Sequence, residues 1–79
     1  MTMKVNVIFF GQLEQLANCK SKEFESVHNT EELKQQVAEQ FPQLAEFDYL
    51  IALNQEIVRE NSVIADQDEV ALLPPFAGG

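Results

Sequence analysis

Residue types that make cross-links, hold metals or start reactions are scarce in this sequence. Cys19 is the only cysteine among 79 residues, so no disulfide can form within one chain, and a lone thiol points to a reducing compartment. His28 is the only histidine, and without a second histidine or a cysteine pair zinc has no ligand set. Asp66, Asp68 and Glu69 share one turn, but they fall short of the ligand number that calcium requires. Cations are few as well: Lys4, Lys20, Lys22, Lys34 and Arg59 stand against thirteen acids, for a formal charge of −8. Such a surface repels nucleic-acid backbones and anionic membranes alike. No apolar run approaches the roughly eighteen residues of a membrane span, and no basic-then-apolar leader is present. A soluble, cytoplasmic protein is therefore expected. There is no glycine-rich phosphate loop and no nucleophile beside a base, so the chain is not expected to catalyse a reaction alone.

What remains is a small apolar domain. A chain of this length leaves no room for a second domain, and its core is marginal by size. Stability must come from regular packing, helped by a partner. The acidity has two readings, simple solubility or steering toward a basic protein partner, and charge alone leaves both open.

Residues 3–10 alternate at first, with Met3, Val5, Val7 and Phe9 on one face and Lys4 and Asn6 on the other. Ile8 and Phe10 make the far end apolar on both sides, which predicts a central strand covered there on both faces. Gly11 breaks it. Leu13, Leu16 and Ala17 recur at helical spacing and predict a short helix over 12–17. Cys19 follows in a polar loop, either incidental or activated by Lys20 and Lys22. Residues 23–28 read as a weaker second strand around Phe24 and Val27, paired hairpin-fashion with the first. His28 belongs to the loop that follows.

The clearest helix is expected over 29–41. Asn29 can cap it, Glu32 stands three residues on as in a capping box, and Leu33, Val37 and Phe41 form one apolar stripe. Pro42 ends it. A third strand is expected over 49–53, a tight turn at Asn54-Gln55, and a short fourth strand over 56–58. A polar connection follows in which Val63 and Ile64 turn inward. The turn 66–69 then feeds a last apolar strand, Val70-Ala71-Leu72-Leu73. The pattern is α+β: one sheet with one main helix on one face.

That last strand runs into Pro74-Pro75-Phe76-Ala77-Gly78-Gly79. Pro74 and Pro75 lack backbone N–H groups, so the ladder stops there and the chain is stiffened into an extended rod. Ala77, Gly78 and Gly79 present almost no side-chain bulk, and such a backbone can enter a narrow channel. Extended, residues 74–79 reach at most roughly 20 Å. The functional group at the end is the Gly79 carboxylate, unhindered and open to activation as a mixed anhydride with AMP. Phe76 has no strand to bury it, so a partner pocket is its expected home, and Ile57 and Leu73 are expected to join it in a docking patch, with core burial as the alternative for those two.

The stretch Asp68-Glu69-Val70-Ala71-Leu72-Leu73-Pro74-Pro75-Phe76-Ala77-Gly78-Gly79 resembles the ending of the sulfur-carrying small subunits of molybdopterin synthase. Those are ubiquitin-like β-grasp sulfur carriers. Val5-Asn6-Val7-Ile8-Phe9-Phe10-Gly11 and Leu53-Asn54-Gln55-Glu56-Ile57-Val58 carry the likeness across nearly the whole chain. The family usually has glycine where this chain has Gln67, a departure that bears on the local turn. The resemblance implies a β-grasp domain over 1–75, with a mixed sheet of five strands or fewer whose first and last strands run parallel at its centre, and a flexible tail over 76–79. It also implies that an ATP-dependent enzyme adenylates Gly79 and that a sulfur donor converts the adenylate to a thiocarboxylate. No permanently bound cofactor is implied. The tail then enters the large synthase subunit, within a heterotetramer, and delivers sulfur to cyclic pyranopterin monophosphate. A thiamine-pathway carrier, a ubiquitin-like modifier and a plain binding module stay open as alternatives.

Overall fold

The computed structural model describes residues 3–75. Alternation in strand β1 (Lys4–Phe9) turns Val5, Val7 and Phe9 into the core and leaves Lys4 and Asn6 in water. Strand β2 (Ser21–Glu25) pairs antiparallel with β1 and sets Phe24 opposite Val5. The two are joined by the short helix α1 (Gln12–Ala17), which buries Leu13 and Ala17. Helix α2 (Thr30–Gln40) follows, then a single 3₁₀ turn, Pro42–Leu44. Strands β3 (Leu50–Leu53) and β4 (Glu56–Val58) form a hairpin. Strand β5 (Glu69–Leu73) then enters between β1 and β3, parallel to the first and antiparallel to the second. The order β2-β1-β5-β3-β4 is the expected five-stranded mixed sheet, with β5 at its middle and β1 alongside.

Helix α2 begins where the sequence says it should. The Asn29 side chain accepts the backbone N–H of Glu32 at 2.9 Å, and Glu31 and Glu32 lie at the positive end of the dipole. The Glu32 carboxylate reaches back one residue further than a capping box requires and accepts the backbone N–H of His28. Leu33 and Val37 enter one core with Val5, Val7, Val70 and Leu72, all six fully enclosed. Each such side chain stabilises the fold by about 1.5–3 kcal/mol. Phe41 packs edge-on against Phe9, with ring centroids 5.3 Å apart. The buried Thr30 hydroxyl accepts the Ser62 backbone N–H at 3.0 Å and donates to Asn61 Oδ1 at 3.3 Å, so the one buried polar residue among the described residues is satisfied.

Four details differ from the sequence reading. The far end of β1 is covered on one face only, because α2 lies on the side of Val5 and Val7; Phe10 is 45% exposed and Ile8 half-buried. Strand β2 starts and ends earlier than expected, since pairing sets Ser21 opposite Ile8, and Val27 is buried beyond its end. Tyr49 precedes β3. Ile64 turns inward as expected, whereas Val63, bridged to Asn29, is 80% exposed.

Candidate functional site

Among the described residues, the side of the sheet opposite α2 carries no helix, and its residues can be laid out in rows by register. Ile8 pairs with Ala71, Ala71 with Ala52, and Ala52 with Ile57. Two isoleucines therefore stand either side of two alanines, making a trough with a shallow floor. The trough continues toward the C-terminal end of β5 through Leu73 and Phe10. Ile57 is 47% exposed, so the alternative of core burial does not hold for it, and Leu73 is half-buried at the same groove. Of the three residues expected in a docking patch, Ile57 and Leu73 thus belong to one apolar surface, and Phe76 lies outside the described residues. Sequence reading did not place Ile8, Phe10 or Ala71 there. The signal was present in the alternation of β1 and β5, once α2 is assigned to one face only.

The turn between β3 and β4 positions this surface. Asn54 and Gln55 have φ of 51° and 71°, the left-handed pair of a type I′ hairpin, which aims Ile57 back across Ala52. Asn54 also ties the hairpin to β5: its N–H donates to the Glu69 carbonyl at 2.7 Å, and its side-chain oxygen accepts the Glu69 N–H at 2.9 Å.

The root of the tail sits at the same end as Leu73 and Phe10. The Phe10 N–H donates to the Leu72 carbonyl at 3.0 Å, which extends the central pairing past the end of β1. Gly11 then turns the chain into α1 with φ of 58° and ψ of −131°, a conformation that favours glycine. A Cβ on Gly11 would stand 2.9 Å from Cγ of Pro74, so the proline ring uses the space that a side chain would fill. Pro74 is half-buried and Pro75 exposed. Phe76, Ala77, Gly78 and Gly79, expected to form the inserting tail and its reactive end, lie outside the described residues.

Cys19 and His28 are not part of this surface. Cys19 is partly buried against the core, and exposed His28 is bonded to Glu32. Apart from Glu69 and Gln55, the described residues lining the groove are apolar, a surface suited to binding a partner's apolar side chains. Among the described residues, no helix is long and apolar enough to cross a membrane.

The sequence model described as ThiS family matches residues 7–79. A molybdopterin synthase sulfur carrier subunit from Chlamydomonas reinhardtii is 34% identical over 83 residues, spanning 98% of this chain and 100% of that protein. Among solved structures, a candidate molybdopterin converting factor subunit 1 from Pyrococcus furiosus superposes with a TM-score of 0.85 at 25% identity, over 92% of this chain and 98% of that one. A chain in the complex of subunits 1 and 2 of the molybdopterin-converting factor from Helicobacter pylori matches at 29% identity and a TM-score of 0.72, over 98% and 100%.

Proposed function

This chain belongs to the ThiS family, and from that membership we propose that it is a sulfur carrier for molybdenum cofactor synthesis whose working group is the Gly79 carboxylate. The observation that carries the reading is the sequence Pro-Pro-Phe-Ala-Gly-Gly, which follows in the chain directly on the middle strand of a sheet with an exposed apolar face. The naming of the relatives and of the Helicobacter pylori complex supports it.

The chemistry divides between this chain and its partners. A carboxylate is a poor electrophile, so an activating enzyme joins the Gly79 oxygen to the α-phosphate of ATP and releases pyrophosphate. A sulfide equivalent from a sulfur donor displaces AMP and leaves a glycyl thiocarboxylate. The body then docks on the large synthase subunit through Ile57, Leu73 and Phe76, and Ala77, Gly78 and Gly79 pass into its pocket. There the sulfur is transferred to cyclic pyranopterin monophosphate. The acyl–sulfur bond must break for that, and water supplies the oxygen that returns Gly79 to a carboxylate. A dithiolene needs two sulfurs, so two charged carriers serve each pterin, in keeping with a heterotetramer of two small and two large subunits. ATP belongs to the activation step, and the carrier itself holds no permanent cofactor. A reducing cytoplasm suits both the thiocarboxylate and Cys19.

The physical division of labour follows from order and bulk. Fixing a free residue costs about 1–2 kcal/mol, and Pro74 and Pro75 are stiff beforehand. The folded body described over residues 3–75 acts as the handle and 76–79 as the delivered segment. Reconstitution with the large subunit and cyclic pyranopterin monophosphate tests the assignment. The charged chain is expected to yield the dithiolene product, and the chain lacking Gly79 to yield none.

A further inference from the structure

The open sheet face does not end at the apolar groove. Ile8 and Glu69 also line a second depression further from the tail, and this one is acidic. Register places Glu23 opposite Asn6, and Asn6 opposite Glu69, in the row next to the Ile8–Ala71 row. Two carboxylates therefore flank an amide on one face, two strand spacings or about 10 Å apart. Asp66 and Asp68 stand at the same edge but are engaged in the loop: Asp66 accepts the Lys4 backbone N–H, and Asp68 that of Ala65, each at 2.8 Å. Lys4 is the cation among the described residues lining this depression. Its Nζ lies 3.9 Å from Glu23 Oε1 with both side chains more than half exposed, a solvated pair that leaves Glu23 accessible. Glu69 is exposed, and among the described residues its carboxylate has no partner.

Along β5 the open face thus reads Glu69, Ala71, Leu73: acid, small, apolar, with the tail leaving just beyond. Four residues of strand put the acid roughly 13 Å from that exit. An apolar trough alone fits a partner's protruding side chain in more than one orientation. A charged lip at one end removes that freedom, because reversed docking would set the partner's cations on Leu73 and Phe10 and bury carboxylates against apolar surface.

We infer that the lip formed by Glu23 and Glu69 receives lysine or arginine side chains of the protein that docks on the groove, and that it orients the carrier so that the tail meets its pocket. This rests on the carrier reading and adds to it the chemistry of the partner's surface: an apolar protrusion, with a basic cluster displaced from the tail's entry point. It also gives part of the −8 charge a location and a task.

The test is the association rate of the full chain with the large synthase subunit, measured over a range of sodium chloride concentrations. The variant Glu23→Gln/Glu69→Gln is expected to associate about tenfold more slowly at low salt, with a flatter salt dependence. Glu23→Asp/Glu69→Asp is expected to restore most of the rate. The control Glu39→Gln/Glu46→Gln removes the same charge from exposed residues off the open face, and is expected to change the rate less than twofold. Equal slowing by both double variants would reduce the effect to net charge and overturn the inference, as would a wild-type rate and salt slope for the lip variant. Failure of the unmodified chain to bind the large subunit at all would instead remove the carrier reading, and the lip's role with it.

Discussion

Asn54 and Glu69 hold each other by two reciprocal backbone-centred hydrogen bonds, Asn54 N–H to the Glu69 carbonyl at 2.7 Å and Glu69 N–H to Asn54 Oδ1 at 2.9 Å. This clamp joins the β3–β4 turn to the start of β5, and so fixes the strand carrying Ile57 against the strand carrying Leu73. Asn54 suits the position twice over, since it tolerates a φ of 51° and offers a side-chain acceptor. Asn54→Gly keeps the first property and loses the second, and Asn54→Ala loses both. Urea unfolding is expected to show Asn54→Ala less stable by about 1–3 kcal/mol and Asn54→Gly between it and the native chain.

Gln67 occupies a turn with φ of 67°, where a side chain is strained and glycine is not. The family resemblance had put this turn in question, and the structure keeps its left-handed geometry with Gln67 N–H bonded to the Lys4 carbonyl at 3.0 Å. Gln67→Gly relieves the strain but loosens the unfolded chain, so a net stabilisation of up to about 1 kcal/mol is expected in the same assay.

The groove predicts a separation of folding from docking. Ile57 is exposed, so Ile57→Ser is expected to change stability by less than about 0.5 kcal/mol. It removes a wall of the trough, and calorimetry with the large subunit is expected to show affinity weaker by about 30-fold, near 2 kcal/mol. Ala71→Leu fills the floor and is expected to weaken binding at least tenfold while the chain stays folded.

Acid sensitivity has an identified contributor at the start of α2. The Glu32 carboxyl is held below the ordinary carboxylate value, first by the backbone N–H of His28 and then by its ring, which lies 3.1 Å away. A depressed folded-state pKa gives stability that is present above the unfolded value of about 4.5 and is lost as pH falls through the folded one. Unfolding followed by circular dichroism is expected to show a shallower acid limb below that pH for Glu32→Gln than for the native chain.

Much of this architecture was legible because local and global signals agree. Asn29, Glu32, Leu33, Val37 and Pro42 each mark α2, and Asn54-Gln55 marks its turn. The open face was harder to read. Ile8 and Phe10 look like core residues in one dimension, and they become surface only when the single long helix is seen to cover the other side. Leu44, fully enclosed beneath a 3₁₀ turn, was missed because three residues show no periodicity. Val63 and Ile64 are adjacent and equally apolar, so only the bridge to Asn29 distinguishes the exposed one from the buried one. Within the candidate site, the end of the central strand was legible from Pro74 and Pro75, which cannot donate to the ladder, whereas the trough required strand register.

The claim underlying all of this is that the Gly79 carboxylate is chemically charged and delivered. Intact-mass spectrometry of the chain after incubation with an adenylating enzyme, ATP and a sulfur donor tests it most directly. The account expects the mass increment of one oxygen exchanged for sulfur, located in the C-terminal peptide and missing from the variant that lacks Gly79. An unchanged mass, or the addition of a protein-sized mass through an isopeptide bond in place of sulfur, would contradict it.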